Sequence, residues 1–312
     1  MSEPQSGRAF RFGVSIWGAS SAGEWRAKAR KAEDLGFDVL LVPDHLADIF
    51  PPLTALTSAA DATSSLHVGT YVLNNDFRNP ALLAREAATL ALLTDGRFEL
   101  GIGAGHMESE YVAAGLPFDP APMRVARLTE SVDILQRLLV GEELTFEGEH
   151  YRVRNHRIYP AVTVPMPLLI GGNGRRVLEL AALRADIVSF TGFFPADGGR
   201  RSDLTHFTAA GLEDRLAIVR AAAGARFDRI ELNCLVQAVL PGDTPATALG
   251  PMLARTPGLS LDEALHSPFL LSGPPEAMAE ALLARRDRFG ITYISVFEPA
   301  MDALASVIAH LK

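Results

Sequence analysis

The sequence has one cysteine, Cys234, so no disulfide can form within the chain, and such sparse thiol usage fits a reducing compartment. It also lacks a basic excess: 37 acidic residues against 29 lysines and arginines leave a formal net charge of −8. No basic face is then on offer to neutralise a phosphate backbone, which argues against nucleic-acid binding. No apolar run approaches membrane-spanning length, and the polar opening MSEPQSGR carries no signal-type apolar core. Internal repeats, low-complexity tracts and composition breaks are absent as well. The expectation is a cytoplasmic protein with no membrane partner. What is present suits a globular enzyme, with 48% apolar and 21% charged residues. At 312 residues the chain can bury a substantial core as one large α/β domain.

Strand-like and helix-like stretches alternate almost to the end. Phe10, Phe12, Val14 and Ile16 alternate with more polar neighbours, a period of two. A helical stretch over 24–35 stops at Gly36, and a short apolar strand, Val39–Val42, follows. Further strands are expected at 67–73, Phe98–Gly103, 168–170, 186–190, 230–239 and Ile291–Phe297. Helices are expected from Asn79-Pro80 to Gly96, over 125–140, and at Pro275–Phe289 and Met301–Leu311. This rhythm predicts an α/β fold, a (β/α)8 TIM barrel spanning 1–312, over an open doubly wound sheet. Two stretches interrupt it. Residues 144–159 alternate as a β-hairpin insertion around Glu147-Gly148-Glu149, and the Pro/Gly-punctuated 241–272 reads as a lid insertion.

In such barrels chemistry sits where strands end. Asp44-His45 follows the second strand, and a histidine beside a carboxylate suits proton transfer; a capping Asp and a packing His is the plainer alternative. Gly101-Ile102-Gly103-Ala104-Gly105-His106 has the wrong spacing for a dinucleotide fingerprint. His45, His106, Glu108 and Glu110 allow a metal-dependent barrel hydrolase as an alternative, although their spacing matches no strong zinc pattern. The most informative stretch is 167–191. There an apolar strand runs into Gly171-Gly172-Asn173-Gly174, followed by a helix with Arg175 and Arg176 in its first turn. Glycines let backbone N–H groups approach an anion, and a helix start favours negative charge, so this reads as a phosphate cradle.

Taken in order, AEDLGFDVLLVPDH (32–45), residues 67–115, LLIGGNGRRVLELAALRADIV (168–188) and SGPPEAMAEAL (272–282) resemble the luciferase-like monooxygenase superfamily, specifically its deazaflavin-dependent branch. The resemblance implies a barrel that binds coenzyme F420 and passes hydride to or from a small-molecule substrate, or alternatively an FMN-dependent monooxygenase of the same fold that uses reduced flavin and oxygen. By position, Asp44 and His45 would flank the reactive edge of the ring, with His106 also at the catalytic centre. Tyr71-Val72 would form a bulge behind the ring that in this branch contains a non-prolyl cis peptide. Ser15, Ala104, Gly105 and Ser109 would line the cofactor, and Gly171, Gly172, Asn173 and Gly174 its phosphate, balanced by Arg175 or Arg176. His106 stands where the family's glucose-6-phosphate dehydrogenases have an acidic residue, which puts sugar-phosphate oxidation in doubt. Analogy and the apolar 81–93 stretch together suggest a homodimer.

Overall fold

The computed structural model describes residues 7–192, 194–196, 201–242, 249, 250, 253 and 259–312. The first half alternates β1 (Arg11–Ser15), α1 (Ala22–Asp34), β2 (Val39–Val42), α2 (Pro52–Asp61), β3 (His67–Thr70), β4 (Leu73–Asn74), α3 (Pro80–Leu93) and β5 (Phe98–Gly103). Helices α4 (Glu108–Ala114) and α5 (Ala121–Leu139) lead to an antiparallel pair, β6 (Leu144–Glu147) and β7 (Arg152–His156). The barrel resumes with β8 (Leu168–Gly171), α6 (Arg175–Arg184) and β9 (Ile187–Thr191). A short antiparallel pair, β10 (Phe194–Ala196) and β11 (Arg201–Asp203), precedes α7 (Ala209–Ala223) and β12 (Glu231–Leu235). Then come β13 (Ala238–Pro241), α8 (Leu261–Leu265), β14 (Leu270–Gly273), α9 (Pro275–Phe289), β15 (Ile291–Phe297) and α10 (Met301–Leu311).

The staves run parallel in the order β3-β2-β1-β15-β12-β9-β8-β5, and β5 returns to β3. The sheet is therefore closed, and the fold is a (β/α)8 barrel. The third stave is broken where the sequence suggests one strand over 67–73. Its halves, β3 and β4, are separated by Tyr71 and Val72, whose peptide bond is cis. Thr70 spans the break: its Oγ1 accepts from Gly101 N and donates to Gly101 O, both at 2.7 Å. A Cβ on Gly101 would lie 2.0 Å from the Thr70 carbonyl oxygen, so only glycine fits there.

Two apolar layers hold the barrel. One fills the space between strands and helices. The other, Val39, Leu41, Leu169, Ile187 and Tyr293, fills the barrel interior, with Tyr71 and Val72 packed against it. Side chains close the barrel, as expected for eight strands.

Several boundaries differ from the sequence expectation. The stretch 230–239 is two strands, and β13 leaves the barrel to pair with β14. The helix expected over 125–140 starts at Ala121, because Pro120 and Pro122 set φ for a first turn. Helices α2, α4, α7 and α8 have no counterpart in the sequence reading. Part of the expected lid, 243–248, 251–252 and 254–258, lies outside the described residues.

Candidate active site

The strand ends bring His45, Tyr71, Val72, Ala104 and Gly105 to one face of the barrel. His45 follows β2, and its Nδ1 lies 2.8 Å from Oε1 of Glu110 on α4. The same oxygen accepts from Leu46 N at 3.2 Å, so the loop after β2 is clamped to α4 by one buried carboxylate. A carboxylate only accepts, which makes Nδ1 the protonated nitrogen and leaves Nε2 to exchange a proton. Read along the sequence, Glu110 enters only the possible metal set, since 65 residues separate it from His45.

His106 meets His45 edge-on, ring centroids 5.5 Å apart. His106 itself is exposed at the mouth. Partial burial first, and then the nearby Arg124 guanidinium, lower its pKa to about 4. His106 is therefore neutral at physiological pH.

Asp44 is a different case from its neighbour. Its carboxylate is buried, grips the Arg78 guanidinium (Nη2 to Oδ1 at 3.0 Å) and accepts from Asn74 N at 2.9 Å. The expectation of Asp44 as a proton-transfer group meets a carboxylate already committed to an ion pair and a backbone donor. Its geometry is that of an anchor, tying the loop after β2 to β4. Asn74 continues the chain of contacts, since its Oδ1 lies 3.1 Å from the Tyr111 hydroxyl. Gly105 sits directly above with φ +72°, and a Cβ there would come within 2.1 Å of that hydroxyl. Glycine is obligatory at this turn.

Val72 turns inward over a floor of glycines. A Cβ on Gly103 would approach Val72 Cγ2 to 2.8 Å, and one on Gly171 would approach its Cγ1 to 3.2 Å. Gly103 and Gly171 thus make room for Val72. Below it, the Tyr71 hydroxyl donates to Asn233 Oδ1 at 2.6 Å, which also accepts from Ser189 Oγ at 2.6 Å. Asn233 Nδ2 donates in turn to Ser295 Oγ at 2.8 Å. Burial raises the Tyr71 pKa, so its hydroxyl stays protonated and fixes the bulge.

The 171–174 loop lies at the start of α6. Gly174 is the N-cap, with no side chain to cap the helix and open space where a Cβ would stand. Gly172 is tighter, since a Cβ there would meet Val177 Cγ1 at 2.6 Å. Arg175 and Arg176 are exposed, and Arg175 leans to Glu179 at 3.5 Å. Asn173 is buried and accepts from Arg215 of α7, which the sequence reading missed because an arginine on a helix reads as solvated. Arg215 is 2% exposed and also donates to the Thr191 and Gly211 carbonyls at 2.8 and 3.0 Å. Burial lowers its pKa to about 10, so it remains a cation beneath the loop.

Ser15 and Trp17, at the end of β1, and Phe297 and Glu298, at the end of β15, border a cavity of about 500 Å3. Ser109 is exposed on α4 and Ala104 half-buried at the mouth. Among the described residues, no group of three or more His, Cys, Asp or Glu side chains converges as a metal site. No helix among them is long and apolar enough to cross a membrane.

A family profile described as luciferase-like monooxygenase matches residues 9–292. An F420-dependent glucose-6-phosphate dehydrogenase of Intrasporangium calvum is 35% identical over 170 residues, 50% of each chain. Its counterpart from Nakamurella multipartita is 34% identical over 221 residues, 68% of this chain and 62% of that one. The chain thus spans between half and two thirds of the length of these relatives. Two solved structures share the fold, each covering 98% of this chain and 100% of their own with a TM-score of 0.77. One is an F420-dependent secondary alcohol dehydrogenase in complex with an F420-acetone adduct, at 19% identity. The other is a coenzyme F420-dependent tetrahydromethanopterin reductase from Methanopyrus kandleri, at 17%.

Proposed function

We propose, from the premise that this chain belongs to the luciferase-like monooxygenase family, that it is an oxidoreductase working with coenzyme F420 on a small organic substrate. The observation that carries this reading is the His45–Glu110 pair after β2, at the strand-end mouth that also carries the Tyr71-Val72 break in the third stave. The F420-dependent relatives support the choice of cofactor. Bound there, the deazaflavin supplies a carbon centre that accepts or gives hydride, and orientation and proton supply fall to the protein.

The chain's residues divide that work. His45 moves the proton at Nε2, with Glu110 holding its tautomer and orientation. Asp44 positions this loop through Arg78 and Asn74. Val72, on its glycine floor, backs the ring, while Ser15, Ala104, Gly105 and Ser109 line the remainder of the cofactor. The backbone N–H groups of 172–176 hold the phosphate, with Arg176 as the charged contact, since Arg175 leans to Glu179.

The cradle can be tested without disturbing the fold. Arg176→Ala is expected to weaken F420 binding by about ten- to a hundred-fold, the value of one charge-assisted contact. Gly174→Val places a branched side chain in open space before the helix, and should weaken binding with thermal stability retained. Gly172→Val is a poor probe, because its clash with Val177 loosens the fold whatever binds. Unchanged F420 affinity in both Arg176→Ala and Gly174→Val, read by fluorescence titration, would place the phosphate elsewhere.

We also propose a homodimer in a cytoplasmic setting. On α3, Leu82, Leu92 and Leu93 are more than half exposed, an apolar stripe that a second copy would cover. Light scattering at micromolar concentration should give twice the chain mass, and Leu93→Lys should shift it toward one. A monomer in the unsubstituted protein contradicts the proposal.

A further inference from the structure

The cavity between the ends of β1, β12 and β15 has a lining of distinct chemistry. Its described walls are largely apolar, with Trp17, Val239 and Phe297 as the bulky members. Trp17 and Phe297 meet edge-on, ring centroids 6.1 Å apart, forming a rigid aromatic corner. Ser15 and Gln237 offer uncharged polar groups. Glu298 supplies a formal charge, and it is negative. Among the described residues no lysine or arginine lines the cavity. Glu298 is itself paired: Lys28 Nζ lies 2.9 Å from its carboxylate and 2.9 Å from the Gly18 carbonyl oxygen. That ammonium is committed to the wall.

Against the described walls a phosphate ester would trade its hydration for an apolar surface and a carboxylate already paired with Lys28. Burying a charge without a paired cation is strongly unfavourable. An uncharged molecule meets no such penalty, and about 500 Å3 is the size of a small-ligand site. Ser15 pairs in register with Phe297, and Gln237 Nε2 donates to Thr191 Oγ1 at 3.0 Å. The cavity floor thus spans neighbouring stave ends of the same mouth that holds His45.

We propose that the substrate is an uncharged alcohol, or the matching carbonyl compound, with an apolar body seated against Trp17 and Phe297. The proposal rests on the hydride-transfer reading above. In the oxidising direction the carbinol C–H pair leaves as hydride to the oxidised deazaflavin, the hydroxyl proton goes to His45, and a C=O bond forms. The reverse direction returns both to the carbonyl.

The first test reads binding to the protein without cofactor, using cyclohexanol and glucose 6-phosphate as probes. Cyclohexanol should quench Trp17 emission saturably, and Trp17→Phe should abolish the signal with thermal stability unchanged. Glucose 6-phosphate should bind at least about tenfold more weakly. Val239→Arg, which adds a cation to the wall, should reverse that order. Equal or tighter binding of glucose 6-phosphate to the unsubstituted protein, or no saturable effect of cyclohexanol, would overturn the proposal. A separate F420 titration keeps the two readings apart. If F420 binds and glucose 6-phosphate reduces it, the substrate class is wrong and the cofactor reading stands. If cyclohexanol binds as expected but F420 does not, the cavity chemistry stands and the cofactor reading falls.

Discussion

His45→Ala is expected to lower turnover by about 10²–10⁴-fold while F420 affinity stays close to that of the unsubstituted protein. The split follows from the geometry. On the proposed assignment His45 would act on the reacting atoms through Nε2, whereas the 172–176 backbone and Val72 would hold the cofactor. Glu110→Gln should lower turnover less. Its amide oxygen can still accept from Leu46 N, now 3.2 Å from the carboxylate, but it cannot stabilise a charged imidazole. His106→Gln should leave the pH profile unchanged above the histidine's lowered pKa of about 4, because the ring is already neutral there. Steady-state kinetics over pH, paired with fluorescence titration, checks all three. Near-normal turnover in His45→Ala would reduce the pair to a structural clamp.

Asp44→Ala should act on stability, with an expected loss of about 3–5 kcal/mol, the usual cost of leaving one member of a buried ion pair alone. The substitution strands Arg78 and removes the acceptor of Asn74 N, so the joint between the β2 loop and β4 opens. Asp44→Asn should be milder, since an amide oxygen still meets Asn74 N. Chemical denaturation measures both. If Asp44→Asn keeps full stability and loses turnover as steeply as His45→Ala, the carboxylate is a proton carrier and the anchor assignment is wrong.

The staves were legible because a closed barrel imposes simple patterns. Val39–Val42 is buried along its whole length and so reads as a continuous apolar run. Glycines at 36 and 290 end α1 and α9 in left-handed turns. The break in the third stave was legible only through resemblance, since 67–73 carries no local stop signal. Helix α4 has seven residues and α8 five, too few for a periodicity to emerge. At the site, His45 and Asp44 look equivalent as a dipeptide. Their roles part only when the fold delivers Glu110 to one and Arg78 to the other. Gly103 and Gly171 illustrate the same limit: they answer to Val72, a neighbour that only the bulge brings over them. Arg215 was invisible because burial at 2% exposure is a property of the packed α7, not of its sequence.

The central claim, F420-dependent hydride transfer at the His45 end of the barrel, is tested most directly by titrating the purified protein with F420 and FMN in parallel. F420 should bind saturably and at least about tenfold more tightly than FMN. Cyclohexanol should then bleach the bound deazaflavin with no requirement for oxygen. Tighter binding of FMN, together with substrate consumption that depends on oxygen and reduced flavin, would contradict it.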